Sequence, residues 1–317
     1  MKVRHCLFLL AMIAAMNVAS TAYADGERVP KAVFIGVDGV RPDALIVADT
    51  PNIDRLIANG TFDPRCLILG ERYQKNDTIS GPGWSSIFTG VWADKHGVHD
   101  NSFAGRKYDE HPHFFAHIRA ADPDAETISL VASWIPIEHH IVSDASVREF
   151  FPVGGPGGDR MAREKQANVD LTEKAVQLLT ENDPTAVSIY LSQPDIAGHT
   201  FGFNAHEPEY LKAIENTDRH VGDIMKAIRS RPAYKQEDWI IVMTTDHGGY
   251  ETGHGGGHEN PEILHGFFLV SGEAVHNRIS PQQTYIVDVV PTLLEHLGAI
   301  DSEIDGRPIG LRELTTP

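Results

Sequence analysis

The chain has 317 residues, 41% hydrophobic and 22% charged, with a formal charge of −17 at pH 7. That length suits one large α/β domain or two small ones. So acidic a chain argues against the basic face that a nucleic-acid duplex requires, although a small anionic substrate can still be held where cations gather at one site.

Met1–Ala24 differs in character from the rest of the chain. Lys2 and Arg4 make a basic start, Cys6–Ala15 is an apolar run, and Ala22-Tyr23-Ala24 has the small-residue pattern of a cleavage site. The segment reads as a secretory signal peptide, cut before Asp25. Its apolar run is short for a membrane span, so no span is expected once the leader is gone. The protein is expected to be secreted or periplasmic. Cys6 leaves with the leader, and Cys66 alone cannot form an internal disulfide.

Ala32–Val37 is a buried strand that ends in Asp38-Gly39. Thr50-Pro51-Asn52 opens a short helix carrying Ile53, Leu56 and Ile57 on one face, and Gly60 stops it. Asp77–Gly90 begins as a Gly/Pro turn and becomes helical through Trp84–Phe88. Thr127–Val131 is a further strand, and Gly154–Gly158 is a loop. Ala167–Leu179 has helical spacing. Ala186–Leu191 is a strand followed by Gln193-Pro194-Asp195-Ile196-Ala197-Gly198-His199. Glu207–Arg229 is a long helix with an apolar stripe from Leu211 to Ile228.

Ile240–Met243 is another apolar, β-branched run, and Thr244 and Thr245 end it before Asp246-His247-Gly248-Gly249. A glycine-rich loop with His254 and His258 comes next, then a strand at Phe267–Val270. Ile286–Leu297 is a helix that accommodates Pro291 by kinking or by starting late. Strands alternating with helices imply a mostly parallel central sheet with helices on both faces. No internal repeat or linker divides the chain.

Three strand ends carry side chains suited to a metal: Asp38, then Asp195 with His199, then Asp246 with His247. The D-x-x-x-H spacing lets Asp195 and His199 reach one ion from a single helical turn. Mixed carboxylate and imidazole ligands suit Zn²⁺ better than Mg²⁺ or Ca²⁺. An isolated aspartate of this kind is usually a helix N-cap. Three strand ends with the same pattern are hard to attribute to capping.

The chain resembles the alkaline phosphatase superfamily, most closely its type I phosphodiesterase/nucleotide pyrophosphatase branch. The resemblance rests on Val33–Leu45, Thr50–Gly60, Ser80–Gly90, His96–Asn101, Pro194–Gly202, Thr244–Gly249 and Asp288–Gly298, in that order. It implies a single alkaline-phosphatase-like catalytic domain over residues 25–317. One Zn²⁺ would be held by Asp195, His199 and a late histidine, with His254 preferred over His258 and His265. A second would be held by Asp38, Asp246, His247 and the nucleophile Ser80. Thr78 is the rival hydroxyl and is expected to be structural. Asn101 would bind a phosphoryl oxygen, with help from a backbone N–H near Ser80.

The implied activity is an exported two-metal hydrolase that cleaves phosphodiester or pyrophosphate bonds in a small phosphate ester through a covalent phospho-serine. A phosphomonoesterase is the alternative, with Arg41 available as its extra cation. A sulfatase is another, since Ser80-Gly81-Pro82-Gly83-Trp84 echoes that signature, but Trp84 stands where sulfatases carry Arg and Gly39 follows Asp38. An exported metal- or anion-binding protein without turnover is the non-enzymatic alternative. Nucleotide-specific relatives have an aromatic residue after the nucleophile, where this chain has Gly81. Trp84, Trp134 or Phe203 would then supply any stacking face. His139, His140 and His206 are expected at the surface or in loops.

Overall fold

A computed structural model describes residues 28–312, apart from 156, 277, 281, 301 and 302. The leader-like segment therefore lies outside the described residues. Eight strands form one sheet: β1 Val29–Val37, β2 Gly60–Leu67, β3 Thr127–Ala132, β4 Val147–Phe151, β5 Ala186–Leu191, β6 Glu237–Thr244, β7 His265–Gly272 and β8 Arg278–Ile279. Their spatial order is β4-β3-β5-β1-β6-β7-β2-β8. The first five in that order run parallel, while β7 is antiparallel to both β6 and β2. The sheet is thus mostly parallel, as the sequence implies.

Side-chain alternation in β1 shows how both faces are covered. Val33, Ile35 and Val37 pack with Leu171, Ile214, Val221 and Ile224 of the two long helices Arg160–Glu181 and Pro208–Arg229. Ala32 and Phe34 turn the other way, towards Trp84, Phe88, Phe114 and Leu293. Those come from the helices Ser80–Thr89, Phe114–Ala121 and Val289–His296. A central strand buried on both faces has to be apolar throughout, which is why it reads as an unbroken hydrophobic run. Because β1, β5 and β6 are parallel neighbours, with Ile35 level with both Ile189 and Met243, their carboxyl ends finish side by side.

The helix at the C-terminal end starts late rather than kinking. A 3₁₀ turn at Ile286–Asp288 precedes the helix Val289–His296, so Pro291 falls in its first turn, where no N–H is needed. β2 is an addition to the sequence reading. It contains Pro64, and its register with β7 shifts between Asp63 and Cys66, the kind of bulge where a strand tolerates proline.

Buried His96 supplies a pH-sensitive element away from the strand ends. Its Nδ1 accepts the Val98 N–H at 3.1 Å, which leaves Nε2–H to donate to Ser86 Oγ at 3.0 Å. Burial lowers its pKa to about 3, from 6.5. The unfolded chain therefore takes up a proton that the folded chain refuses. This contribution to stability is full above pH 6.5 and is lost as pH falls toward 3. His96→Gln is expected to flatten the fall in unfolding free energy below pH 6.5, measured by urea denaturation across pH. A slope equal to wild type would refute the assignment.

Candidate active site

The carboxyl ends of β1, β5 and β6 bring together the residues that the sequence singled out. Asp38 follows β1, and Asp246 and His247 follow β6. The helix Gln193–Phe201, which follows β5, carries Asp195 and His199 one turn apart. Gly39 makes the close approach possible: its φ is +66°, and a Cβ there would lie 2.8 Å from the Asp195 backbone and carboxylate. Asp38, Asp246 and His247 form one group whose potential ligand atoms lie within 4.8 Å of each other, and Asp195, His247 and His254 form a second.

All three imidazoles are oriented in the same way. His247 Nδ1 faces Gly248 O at 2.8 Å, His254 Nδ1 faces Thr78 O at 3.1 Å, and His199 Nδ1 faces Thr252 O at 2.8 Å. A carbonyl oxygen can only accept, so each Nδ1 carries a proton, and each ring turns its Nε2 inward. His254 Nε2 and His199 Nε2 then face each other at 3.1 Å. The His247 and His254 rings stack with centroids 3.6 Å apart.

The carboxylates are equally incomplete. Asp38 Oδ1, Asp195 Oδ1 and Asp246 Oδ2 are buried without a hydrogen-bond partner. They lie beside the inward nitrogens: His247 Nε2 is 3.4 Å from Asp38 Oδ1 and 3.2 Å from Asp246 Oδ2, and His199 Nε2 and His254 Nε2 are 3.5 and 3.7 Å from Asp195 Oδ1. Burial, followed by repulsion from neighbouring carboxylates, pushes Asp195 and Asp246 well above the usual carboxylate range. Burial holds His247 and His254 near a pKa of about 3, hence neutral. Buried acceptors facing buried acceptors need positive charge between them, and this donor set fits divalent cations.

Ser80 is the first residue of the helix Ser80–Thr89, with its Oγ 3.2 Å from His247 Nε2. Thr78 lies elsewhere in the hydrogen-bond network. Its hydroxyl donates to His254 O at 2.6 Å and accepts from Gly257 N–H at 2.8 Å. Asp77 accepts from Gly256 N–H at 2.6 Å, and His258 Nε2 bonds to Asn76 O at 2.8 Å. Segment 76–78 therefore clamps the glycine-rich loop and sets His254, while His258 is engaged outside the cluster. His265 is half-buried at the start of β7, with its Nδ1 on Pro261 O.

Asn101 Oδ1 accepts the Gly81 N–H at 2.7 Å. That N–H is therefore taken up by Asn101. The amide NH₂ of Asn101 is the group left over. A Cβ at residue 81 would sit 2.7 Å from Asp100 O and Asn101 Oδ1, so no aromatic side chain fits after Ser80. Of the three proposed stacking faces, Trp84 and Phe203 are fully buried and only Trp134 is partly exposed. Arg41 is also spoken for. Its guanidinium bonds Asp43, Glu262 and the carbonyls of Phe203 and Gly249.

Tyr190, which the sequence reading did not single out, and Trp84, which it offered only as a stacking face, complete the surroundings. Tyr190 O–H and Trp84 Nε1–H both donate to Asp38 Oδ2, at 2.5 and 3.0 Å. A tyrosine as the one aromatic in the buried strand β5 was the available signal, since a buried phenol hydroxyl needs a partner. A groove of about 650 Å³ between the two long helices, lined in part by Val169, Val176 and His220, shares no residue with this site.

Fold and site together define a member of the alkaline phosphatase superfamily, with acidic and imidazole side chains gathered at the carboxyl edge of a mostly parallel sheet. Within it, the chain belongs to the type I phosphodiesterase/nucleotide pyrophosphatase family, whose sequence pattern matches residues 32–256. Relatives include bis(5'-adenosyl)-triphosphatase ENPP4 of Bos taurus, 25% identical over 264 residues, covering 76% of this chain and 52% of that protein. Ectonucleotide pyrophosphatase/phosphodiesterase family member 7 of Homo sapiens is 24% identical over 265 residues, covering 75% and 52%. The chain thus spans about half the length of these relatives. Among solved structures, a 2-O GAG sulfatase aligns with TM-score 0.68 at 15% identity over 89% of this chain and 73% of its own. Murine ectonucleotide pyrophosphatase/phosphodiesterase 5 aligns with TM-score 0.63 at 15% identity over 86% and 96%. At that identity the likeness concerns the fold. Among the described residues no helix is long and apolar enough to cross a membrane.

Proposed function

We propose that this protein is a two-zinc phosphodiesterase acting on a small phosphodiester or pyrophosphate, with Ser80 as nucleophile. The observation that carries the reading is the opposition of His199 Nε2 and His254 Nε2, beside three unpartnered carboxylate oxygens and within reach of Ser80. Asp38, Asp246, His247 and Ser80 would hold one ion, and Asp195, His199 and His254 the other. When bound, the ions lower the pKa of the serine hydroxyl and polarise the phosphoryl group.

The residues of the chain then have distinct tasks. Ser80 Oγ attacks phosphorus in line with the leaving alcohol, forming a phospho-serine ester and releasing that alcohol with a proton. Water then cleaves the ester, giving the phosphate monoester and free Ser80. Asn101, held by Gly81 N–H through its Oδ1, offers its NH₂ to an equatorial phosphoryl oxygen, whose charge grows during transfer. Asp77 and Thr78 keep the loop bearing His254 in place.

The commitments of Arg41 favour a diester over a monoester, because its guanidinium is unavailable to a second phosphate charge. The absence of room beyond Gly81 weighs against base stacking next to the nucleophile. A nucleotide substrate, as named for the Bos taurus relative, would use a surface such as Trp134 instead. The leader-like segment 1–24 adds export to the reading.

The decisive experiment compares bis-p-nitrophenyl phosphate with p-nitrophenyl phosphate on zinc-loaded protein. kcat/KM for the diester is expected to exceed that for the monoester by at least about tenfold, equivalent to about 1.4 kcal/mol. The reverse preference would make the protein a phosphatase. No turnover of either substrate with zinc bound would make it a binding protein.

A further inference from the structure

We propose that Tyr190 and Trp84 are positioning residues for Asp38. By donating to one carboxylate oxygen, they present the other to the cation shared with Asp246 and His247. This rests on the two-metal reading of the site.

A carboxylate can turn about its last bond and exchange its two oxygens. Asp38 cannot do so without loss, because Oδ2 accepts from both the Tyr190 hydroxyl at 2.5 Å and the Trp84 indole N–H at 3.0 Å. The indole is a donor only, and an ionised carboxylate an acceptor only, so the polarity of the contact is fixed. Oδ1 is left buried, without a hydrogen bond, 3.4 Å from His247 Nε2. Both donors are themselves held firmly. Trp84 is fully buried and Tyr190 nearly so, and their rings meet edge-on at 5.0 Å and 82°.

Each donor also brings a second site element into register. Trp84 lies one turn beyond Ser80 in the same helix, so the indole that fixes Asp38 also fixes the spacing between Asp38 and the nucleophile. Tyr190 belongs to β5, which leads into the helix carrying Asp195 and His199. Asp246 has nothing comparable, since Gly39 N–H approaches its Oδ1 only to 3.4 Å. The effect is therefore confined to one of the two cations. Outer partners of this type change metal affinity by about 10- to 100-fold when removed.

The test measures zinc content and affinity, independently of turnover. Wild type, Tyr190→Phe, Trp84→Phe and Asp195→Asn are stripped, checked for native circular dichroism and titrated with Zn²⁺ against a chromophoric chelator. Cobalt loading is followed in parallel by visible absorption. Wild type is expected to bind two ions. Tyr190→Phe is expected to weaken one of them by about 10- to 100-fold and to lose the corresponding part of the cobalt spectrum. Asp195→Asn is expected to lose the other part. Tyr190→Phe removes a single oxygen and decides the matter if Trp84→Phe fails to fold. Two ions at wild-type affinity in Tyr190→Phe, with only a lower melting temperature of the metal-free protein, would make the contact purely structural and overturn the proposal. A wild type that binds no zinc would overturn the two-metal reading as well.

Discussion

Ser80→Ala is expected to lower kcat for bis-p-nitrophenyl phosphate by about 10³-fold or more, because it removes the hydroxyl that lies 3.2 Å from His247 Nε2 in the ligand cluster. The variant is expected to fold normally, to keep the ion held by Asp195, His199 and His254, and to bind the other more weakly for want of Ser80. Ser80 is the first residue of a helix whose N-cap, Ile79, makes no side-chain capping bond, so the substitution removes only the contact of the hydroxyl with His247 Nε2. Thr78→Val provides the contrast. The Thr78 hydroxyl bridges His254 O and Gly257 N–H, so its removal is expected to loosen the His254 loop, weaken zinc and leave measurable turnover at saturating metal. Full activity in Ser80→Ala together with complete loss in Thr78→Val would move the nucleophile to residue 78.

Metal removal is expected to have a comparably large effect, on stability as well as on rate. Chelation is expected to abolish turnover, and added Zn²⁺ to restore it. With free metal at 1,000 times its dissociation constant, each ion contributes about 4 kcal/mol to the folded state. For a chain of this size, that corresponds to a fall in melting temperature on the order of 10 °C per ion, measured by calorimetry with and without chelator. The cause lies in the geometry. Without cations the three buried carboxylate oxygens are left without partners, close to the inward nitrogens of His247 and His254. An unchanged melting temperature after verified removal of metal would contradict the ligand assignments.

Much of this site is legible in the sequence because parallel strands advertise themselves. Asp38 and the pair Asp246-His247 each end an apolar run, and a sheet whose parallel strands finish together must bring such ends into contact. Asp195 and His199 add a helical spacing that is visible in the residue numbers alone. His254 is less accessible. Among several histidines in a glycine-rich loop, the choice depends on Asp77 and Thr78, far away in sequence, which hold the loop. Tyr190 was hidden in the opposite way, as one aromatic among buried aliphatics. β2 escaped because Pro64 interrupts its pattern, and β4 because an outermost strand with partly exposed residues lacks a continuous apolar run. The helix at Ser80 begins four residues before the apolar segment at Trp84, since its first turn is Ser-Gly-Pro-Gly and looks like a loop.

The reversed strand β7 has a consequence for how such a protein can diversify. β6 and β7 are antiparallel neighbours, so segment 245–264 leaves the sheet and re-enters it at the same edge. Its first residues, Asp246 and His247, are anchored at that edge. Its outer portion reaches Gly256, where φ is +66° and a side chain would meet nothing within 4 Å. Asp246 and His247 keep the position that β6 gives them, whereas His254 is set by the bonds of Gly256 and Gly257 to Asp77 and Thr78. One end of the loop is therefore fixed by the sheet and the other by a remote segment, so a longer loop would leave strand pairing alone but would have to preserve that clamp to keep its last imidazole in place.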